Sequence, residues 1–261
     1  MFNRIRFRNC VHQGVAGATE EAILAAIRGD SLVCAPGDLS TILSRQTVFA
    51  GLSRYLGAEA FKQCWMDYQR ASQARTAQGG SSLAALPTYL AEHRYGRERP
   101  ELVDLARLDL AVFLAGAATA QPSLDHCCLP DAILADHPAL TIKMQPNWQY
   151  LKSNWPIQQF RDALLRRPDG GARIKPPRPA TVWLNVLPVG DEISIRELPP
   201  AQFQFESALQ RGQSLQEAGR SAAEIDPKFE SLTALKVLID ARAIADVDLH
   251  PAAAPTTDAT S

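Results

Sequence analysis

The chain has 261 residues, 46% of them apolar and 21% charged, with a net charge of −1. That composition builds a globular chain with a proper core and leaves room for two domains of ordinary size. It lacks the basic surplus that draws a protein to nucleic acid or to an anionic membrane, and its longest apolar runs are too short to cross a bilayer.

Met1-Phe2-Asn3-Arg4-Ile5-Arg6 is positively charged but has no apolar stretch behind it, so it does not read as a secretory signal. The five cysteines, Cys10, Cys34, Cys64, Cys127 and Cys128, are odd in number and scattered. They predict reduced thiols in a cytoplasmic protein and not a disulfide framework.

The N-terminal half reads as nearly all helix. Thr19 can cap a short helix over residues 19–29, with Glu20 and Glu21 in its first turn and Gly29 at its end. A second helix starts near Leu39 and runs to Leu56, where Gly57 breaks the pattern. The next covers 58–74, with Phe61, Cys64, Trp65 and Tyr68 at helical spacing. A loop at Gly79-Gly80-Ser81-Ser82 leads to a helix over 83–93. Pro100 opens another, with Leu102, Leu105, Leu108, Val112 and Phe113 facing a bundle centre.

After about Asp136 the pattern changes. Leu140, Ile142 and Met144 alternate as in a strand, and 149–152 extends or pairs with it. Pro156 starts a helix over 158–165, and a Pro/Gly/basic loop fills 168–179. The clearest local signal follows. Val182, Leu184 and Val186 alternate with polar or bulky neighbours, Gly190-Asp191 turns the chain, and Ile193 and Ile195 alternate on the return arm: a β-hairpin. Three helices come next. The first opens at Pro199-Pro200 and carries Phe203, Phe205 and Leu209; the second opens on the capping-box spacing Ser214-Leu215-Gln216-Glu217. The third follows Asp226-Pro227, with Phe229, Leu232, Leu235, Leu238 and Ile239 inward. Residues 244–247 read as a terminal strand, and 251–261 as a disordered tail.

Few residues point to chemistry. Asp125-His126-Cys127-Cys128, with Asp136-His137 downstream, is the one group of possible metal ligands, but its adjacent cysteines lack the gap that zinc pairs prefer. Cys10 and His12 have no third residue to orient them. The glycine loop has no lysine behind it and is not a phosphate loop. Arg161, Arg166, Arg167, Arg173, Lys175 and Arg178 form a loose basic patch that reads as solvated loop.

The hairpin and helical trio offer a binding site instead. An unpaired strand edge beside a helix takes up an extended peptide through backbone hydrogen bonds. The expected edge is Ile193, Ser194, Ile195, Arg196 and Glu197, and the expected groove wall is Leu235, Lys236, Ile239 and Arg242. The same elements describe a winged helix that reads DNA. The second and third helices, however, mix Glu217, Glu230 and Asp240 with Arg220, Lys228 and Lys236 and make no basic stripe.

Several segments resemble one family in order. Tyr55-Leu56-Gly57-Ala58-Glu59-Ala60-Phe61 resembles its L-G-x-E-x-F segment, and Leu102–Asp109 its L-A-D-L-A-R-L-E. His137-Pro138-Ala139-Leu140, continuing to Ser153-Asn154-Trp155-Pro156-Ile157, resembles its H-P-S-L…S-x-Y-P-V. The family is that of the HvfC/BufC/MbnC/TglI-like partner proteins, and the likeness runs from about Thr47 to Val247. An early Y-R-N-N helix of that family has no counterpart at the expected distance, Phe7-Arg8-Asn9 lying too far upstream.

The resemblance implies a non-catalytic subunit whose RiPP recognition element holds the leader of a ribosomally made precursor peptide. It presents that peptide to a TIM-barrel, multinuclear non-haem-iron oxidase that modifies cysteines. The chain itself would need no cofactor, since the iron belongs to the oxidase; neither nucleic acid nor membrane is an expected partner. The expected fold is α+β: a helical docking domain over 1–136, then a winged-helix-like recognition domain over 137–250 with a small antiparallel sheet and three helices.

Overall fold

The computed structural model describes residues 3–6, 46–75, 83–124, 140–166 and 174–249. The chain is α+β. It divides into two compact units, each discontinuous: Met1–Thr119 with Gln149–Glu197, and Ala120–Trp148 with Leu198–Ser261. The boundary expected between residues 136 and 137 is therefore not the one along which the structure divides.

The first unit contains strand β1 (Asn3–Arg6) and helices α1 (Ala50–Leu56), α2 (Ala58–Arg75), α3 (Leu86–Glu92), α4 (Arg94–Glu98) and α5 (Glu101–Ala117). The single helix expected over 83–93 is a 3-10 turn at Leu83–Ala85 followed by α3. His93 is extended, and its Nδ1 accepts the Tyr95 N–H at 3.4 Å, so it closes one helix and caps the next. Trp65, Tyr68, Tyr89, His93 and Tyr95 form a chain of ring contacts 5.1–5.3 Å apart that ties α2 to α3 and α4.

Helix α5 explains why this unit is not all helix. It is buried nearly all round, and a helix apolar on every side belongs at a centre. Strands β3 (Gln149–Ser153), β4 (Val182–Val189) and β5 (Glu192–Glu197), with α6 (Ile157–Leu165), complete its cover. Val182, Leu184, Val186, Ile193 and Ile195 share one core with Leu102, Leu105 and Leu108. Five such side chains, at about 1.5–3 kcal/mol each, contribute on the order of 10 kcal/mol of burial. That outweighs the short connection that leads the hairpin toward the helical trio.

All strand pairs in this sheet are antiparallel, in the order β1-β5-β4-β3. The hairpin has the expected limits. Gly190 has φ +62°, the left-handed conformation that a two-residue loop asks of its first central residue.

The second unit is a β-sheet of two strands with three helices: β2 (Leu140–Met144), α7 (Pro200–Gln210), α8 (Leu215–Ala223), α9 (Ser231–Asp240) and β6 (Ile244–Leu249). Leu140, Ile142 and Met144 are buried while Lys143 is exposed, so the alternation read from the sequence is a real face. β2 pairs with β6 and not with β3. Its Thr141 also forms a bridge to Ser214, and α7 and α8 pack on β2. Three helices and a small sheet do occur together, but the sheet is β2–β6 and the hairpin lies in the other unit.

Ser214 caps α8 as its spacing predicts: its hydroxyl accepts the Glu217 N–H at 3.3 Å, and the Glu217 carboxylate accepts the Ser214 N–H at 3.0 Å. Leu232, expected inward on α9, is 43% exposed; Leu235, Leu238 and Ile239 carry the burial. The expected helices over 19–29 and from Leu39 to residue 45, and the tail over 251–261, lie outside the described residues.

Candidate functional site

The expected site joined one strand edge to one helix face, and the structure divides these between the two units. Ile193 to Glu197 lie on β5 of the first unit, and Leu235, Lys236, Ile239 and Arg242 lie on or just after α9 of the second. Leu235 and Ile239 are 0% and 4% exposed, so they are core and not groove wall. Lys236 and Arg242 are exposed, Arg242 in a turn with φ +55°.

β5 is not an open edge. β4 pairs with one side of it, and β1 pairs with the other in the register Asn3↔Ile195, Arg4↔Ser194, Ile5↔Ile193 and Arg6↔Glu192. Ile193, Ser194 and Ile195 are thus doubly paired and buried. Arg196 and Glu197 lie beyond the end of β1. Arg196 donates to the Asn185 amide oxygen at 3.3 Å, and Glu197 accepts from the Gln158 amide at 3.5 Å. Sequence reading missed β1. Four residues with one apolar member carry almost no strand signal.

The remaining geometry of the first unit is a set of buried acids along α5. Asp109 accepts the Arg161 Nε–H at 2.6 Å and the Leu52 N–H at 2.9 Å, with both side chains of the ion pair buried. Burial pushes the Asp109 carboxyl up; the Arg161 guanidinium and the Leu52 and Gly51 N–H groups oppose that. Gly51 permits the approach, since a Cβ there would stand 2.9 Å from Leu105 Cδ1 and 3.2 Å from Asp109 Oδ1. Asp104 accepts the Ser153 hydroxyl at 2.7 Å and the Asn154 N–H at 3.3 Å. Glu101 accepts the Tyr55 hydroxyl at 3.1 Å. Burial, with Glu101 adjacent, pushes that phenol up to about 12.

These contacts fall on the segments quoted for the resemblance. Asp104 and Asp109 belong to Leu102–Asp109, and Ser153 and Asn154 belong to Ser153–Ile157. Asp104, Asp109, Ser153 and Asn154 thus tie distant parts of one unit. Arg161, expected in a solvated basic patch, is a buried member of this set; Arg166, Lys175 and Arg178 are exposed as expected.

Comparison with known proteins finds no family model and no curated protein that matches the chain. What the site can do therefore rests on its own geometry.

Among the described residues no three His, Cys, Asp or Glu side chains gather to hold a metal ion. Asp125, His126, Cys127, Cys128, Asp136, His137, Cys10 and His12 lie outside the described residues. No described helix is long and apolar enough to cross a membrane. In the second unit an open cleft of about 390 Å3 is lined by Leu215, Gly219, Arg220 and Phe229, among others. The exposed residues of α8 and α9 include Glu217, Arg220, Lys236 and Asp240, a mixed face and not the basic stripe of a DNA reader.

Proposed function

We propose that this chain is a non-catalytic accessory subunit of the HvfC/BufC/MbnC/TglI-like kind. It works in the cytoplasm, holds the leader of a ribosomally made precursor peptide as an added strand, and presents it to a multinuclear non-haem-iron oxidase. One observation carries the reading. The outer side of β5 accepts an extended four-residue segment in antiparallel register, which is the geometry that peptide capture by strand addition requires. The iron and the cysteine chemistry belong to the oxidase. The subunit contributes effective concentration and orientation, which turn an encounter in solution into a tethered one.

The test is a co-purification paired with a titration. The chain is co-expressed with a TIM-barrel iron oxidase encoded beside a short Cys-containing peptide, and the peptide's leader half is then titrated into the purified chain. The expected result is a stable complex with the oxidase and saturable leader binding that depends only weakly on salt. Absence of both sinks the reading. Steeply salt-dependent affinity for duplex DNA would replace it with the winged-helix alternative.

A further inference from the structure

We infer that β1 is a built-in occupant of the β5 edge, and that an extended peptide with an apolar residue followed by a basic one displaces it. The inference rests on the strand-addition reading above and concerns the resting state and the selectivity of that same edge.

Three features carry it. First, the two neighbours of β5 are held unequally. β4 is joined to β5 by a tight hairpin and pairs with it over six positions, from Leu184↔Glu197 to Val189↔Glu192. β1 pairs with it over four, and among the described residues β5 is its one partner strand. A four-residue strand gains a few backbone hydrogen bonds of small net value against the entropy of ordering its backbone, so its occupancy is close to balanced and exchangeable.

Second, β5 keeps its place without β1. Ile193 and Ile195 lie in the core of the first unit with Leu184 and Val186 of β4, so departure of β1 uncovers backbone groups of a strand that stays anchored.

Third, the register defines the chemistry of the occupant. Position 5 stands opposite Ile193 and position 6 opposite Glu192. Directly opposed apolar pairs and opposite charges are the favourable cross-strand combinations. A peptide running antiparallel to β5, with an aliphatic residue opposite Ile193 and Lys or Arg next in sequence opposite Glu192, uses both. While β1 is paired, the apparent affinity of such a peptide falls by the fraction of chains whose edge is open.

The experiment uses the full chain and a fluorescent synthetic peptide with the sequence of residues 2–8, which reports on the edge without any leader. Binding is measured to the wild type, to the variant Arg4→Pro with Ile5→Pro, and to the double variant Ile5→Cys with Ile193→Cys. Directly opposed residues of an antiparallel pair lie within disulfide reach. On an edge strand successive N–H groups alternate between the neighbour and solvent, so two adjacent prolines remove a ladder bond whichever phase β1 has, and Arg4→Pro with Ile5→Pro should bind the peptide roughly tenfold more tightly than wild type. The oxidised double variant should not bind, and reduction should restore binding. Equal affinity across all three, or a crosslink that joins two chains instead of closing within one, overturns the inference. A chain that behaves as expected here yet ignores the leader removes the leader reading alone. A leader that binds the locked variant as well as the reduced one does not use the β5 edge, which overturns both its displacement of β1 and strand addition at that edge.

Discussion

In the first unit, α5 buries Glu101, Asp104 and Asp109, and each is bonded to a residue about 46 to 57 positions away in sequence. In the second unit, α7 buries Glu206, which takes the Gln202 amide at 2.8 Å from one turn away on the same helix. The capping box of α8 spans three residues. The first unit is thus tied by buried charges that reach distant segments, whereas in the second the buried acid is met from its own helix and the long-range polar ties, Gln145 with the Gln121 backbone and Gln210 with the Trp148 carbonyl, are neutral. Buried charges are costly to strand without a partner, so the two arrangements should fail differently when single groups are removed.

The largest expected effect is at the buried ion pair. Asp109→Ala leaves Arg161 charged in the core and should cost about 3–5 kcal/mol in chemical denaturation. Hydrogen exchange should then rise in β3, β4 and β5. Replacing both partners, Asp109→Leu with Arg161→Met, should recover most of that loss, because neither charge is then stranded. A cost below about 1 kcal/mol for Asp109→Ala would mean that the pair is solvated and would break the contrast between the units.

A smaller effect is expected at the α8 cap. Ser214→Ala should cost about 1 kcal/mol, the usual loss of a side-chain N-cap. Exchange should speed up in the first turn of α8 and leave β4 and β5 unchanged. Acceleration across the first unit as well would show that the effect of the cap is not confined to its own helix.

The smallest effect concerns Cys64, packed among Phe61, Trp65 and Tyr68 in the first unit. Burial, with Asp67 adding to it, pushes its thiol up from 9.0 to about 11. At pH 8 roughly one thiol in a thousand is then ionised, and the thiolate is the reactive form. Iodoacetamide at pH 8 should spare Cys64 in the folded chain and modify it in denaturant, as read by peptide mapping. Because the folded value is raised, the stability this group contributes is fully present below about pH 9 and is lost as pH rises through about 11. Rapid alkylation of the folded chain at pH 8 would show that this part of the first unit opens to solvent.

Features encoded by short-range chemistry were legible. The hairpin needed only alternation and Gly190-Asp191, and the α8 cap needed only Ser214 and Glu217 three residues apart. α2 needed only apolar residues at helical spacing. Features decided by competition between distant segments were not. Leu232 fits the apolar repeat of α9, yet it lies on a face that the described residues leave exposed. Arg161 looks like its exposed neighbours downstream, and only the position of Asp109 fifty-two residues away makes it core. The candidate edge was legible as a strand, but it was expected to be unpaired, and the structure pairs it on both sides. That its outer partner is β1 depends on a pairing across almost 190 residues.

By itself, then, the sequence determined most of the described elements and their class, helices, a hairpin, three helices and flanking strands in an α+β chain, but not β1 or α4. Tertiary structure decided which elements belong together. A helix buried on nearly every side, α5, recruits whatever apolar strand faces can cover it. β3, β4 and β5 supply those faces, so the hairpin groups with α5 and not with the helical trio that follows it in sequence, and β2 pairs with β6 instead. Burial is non-directional and indifferent to sequence separation, which is why periodicity and spacing reveal an element's faces but not what covers them.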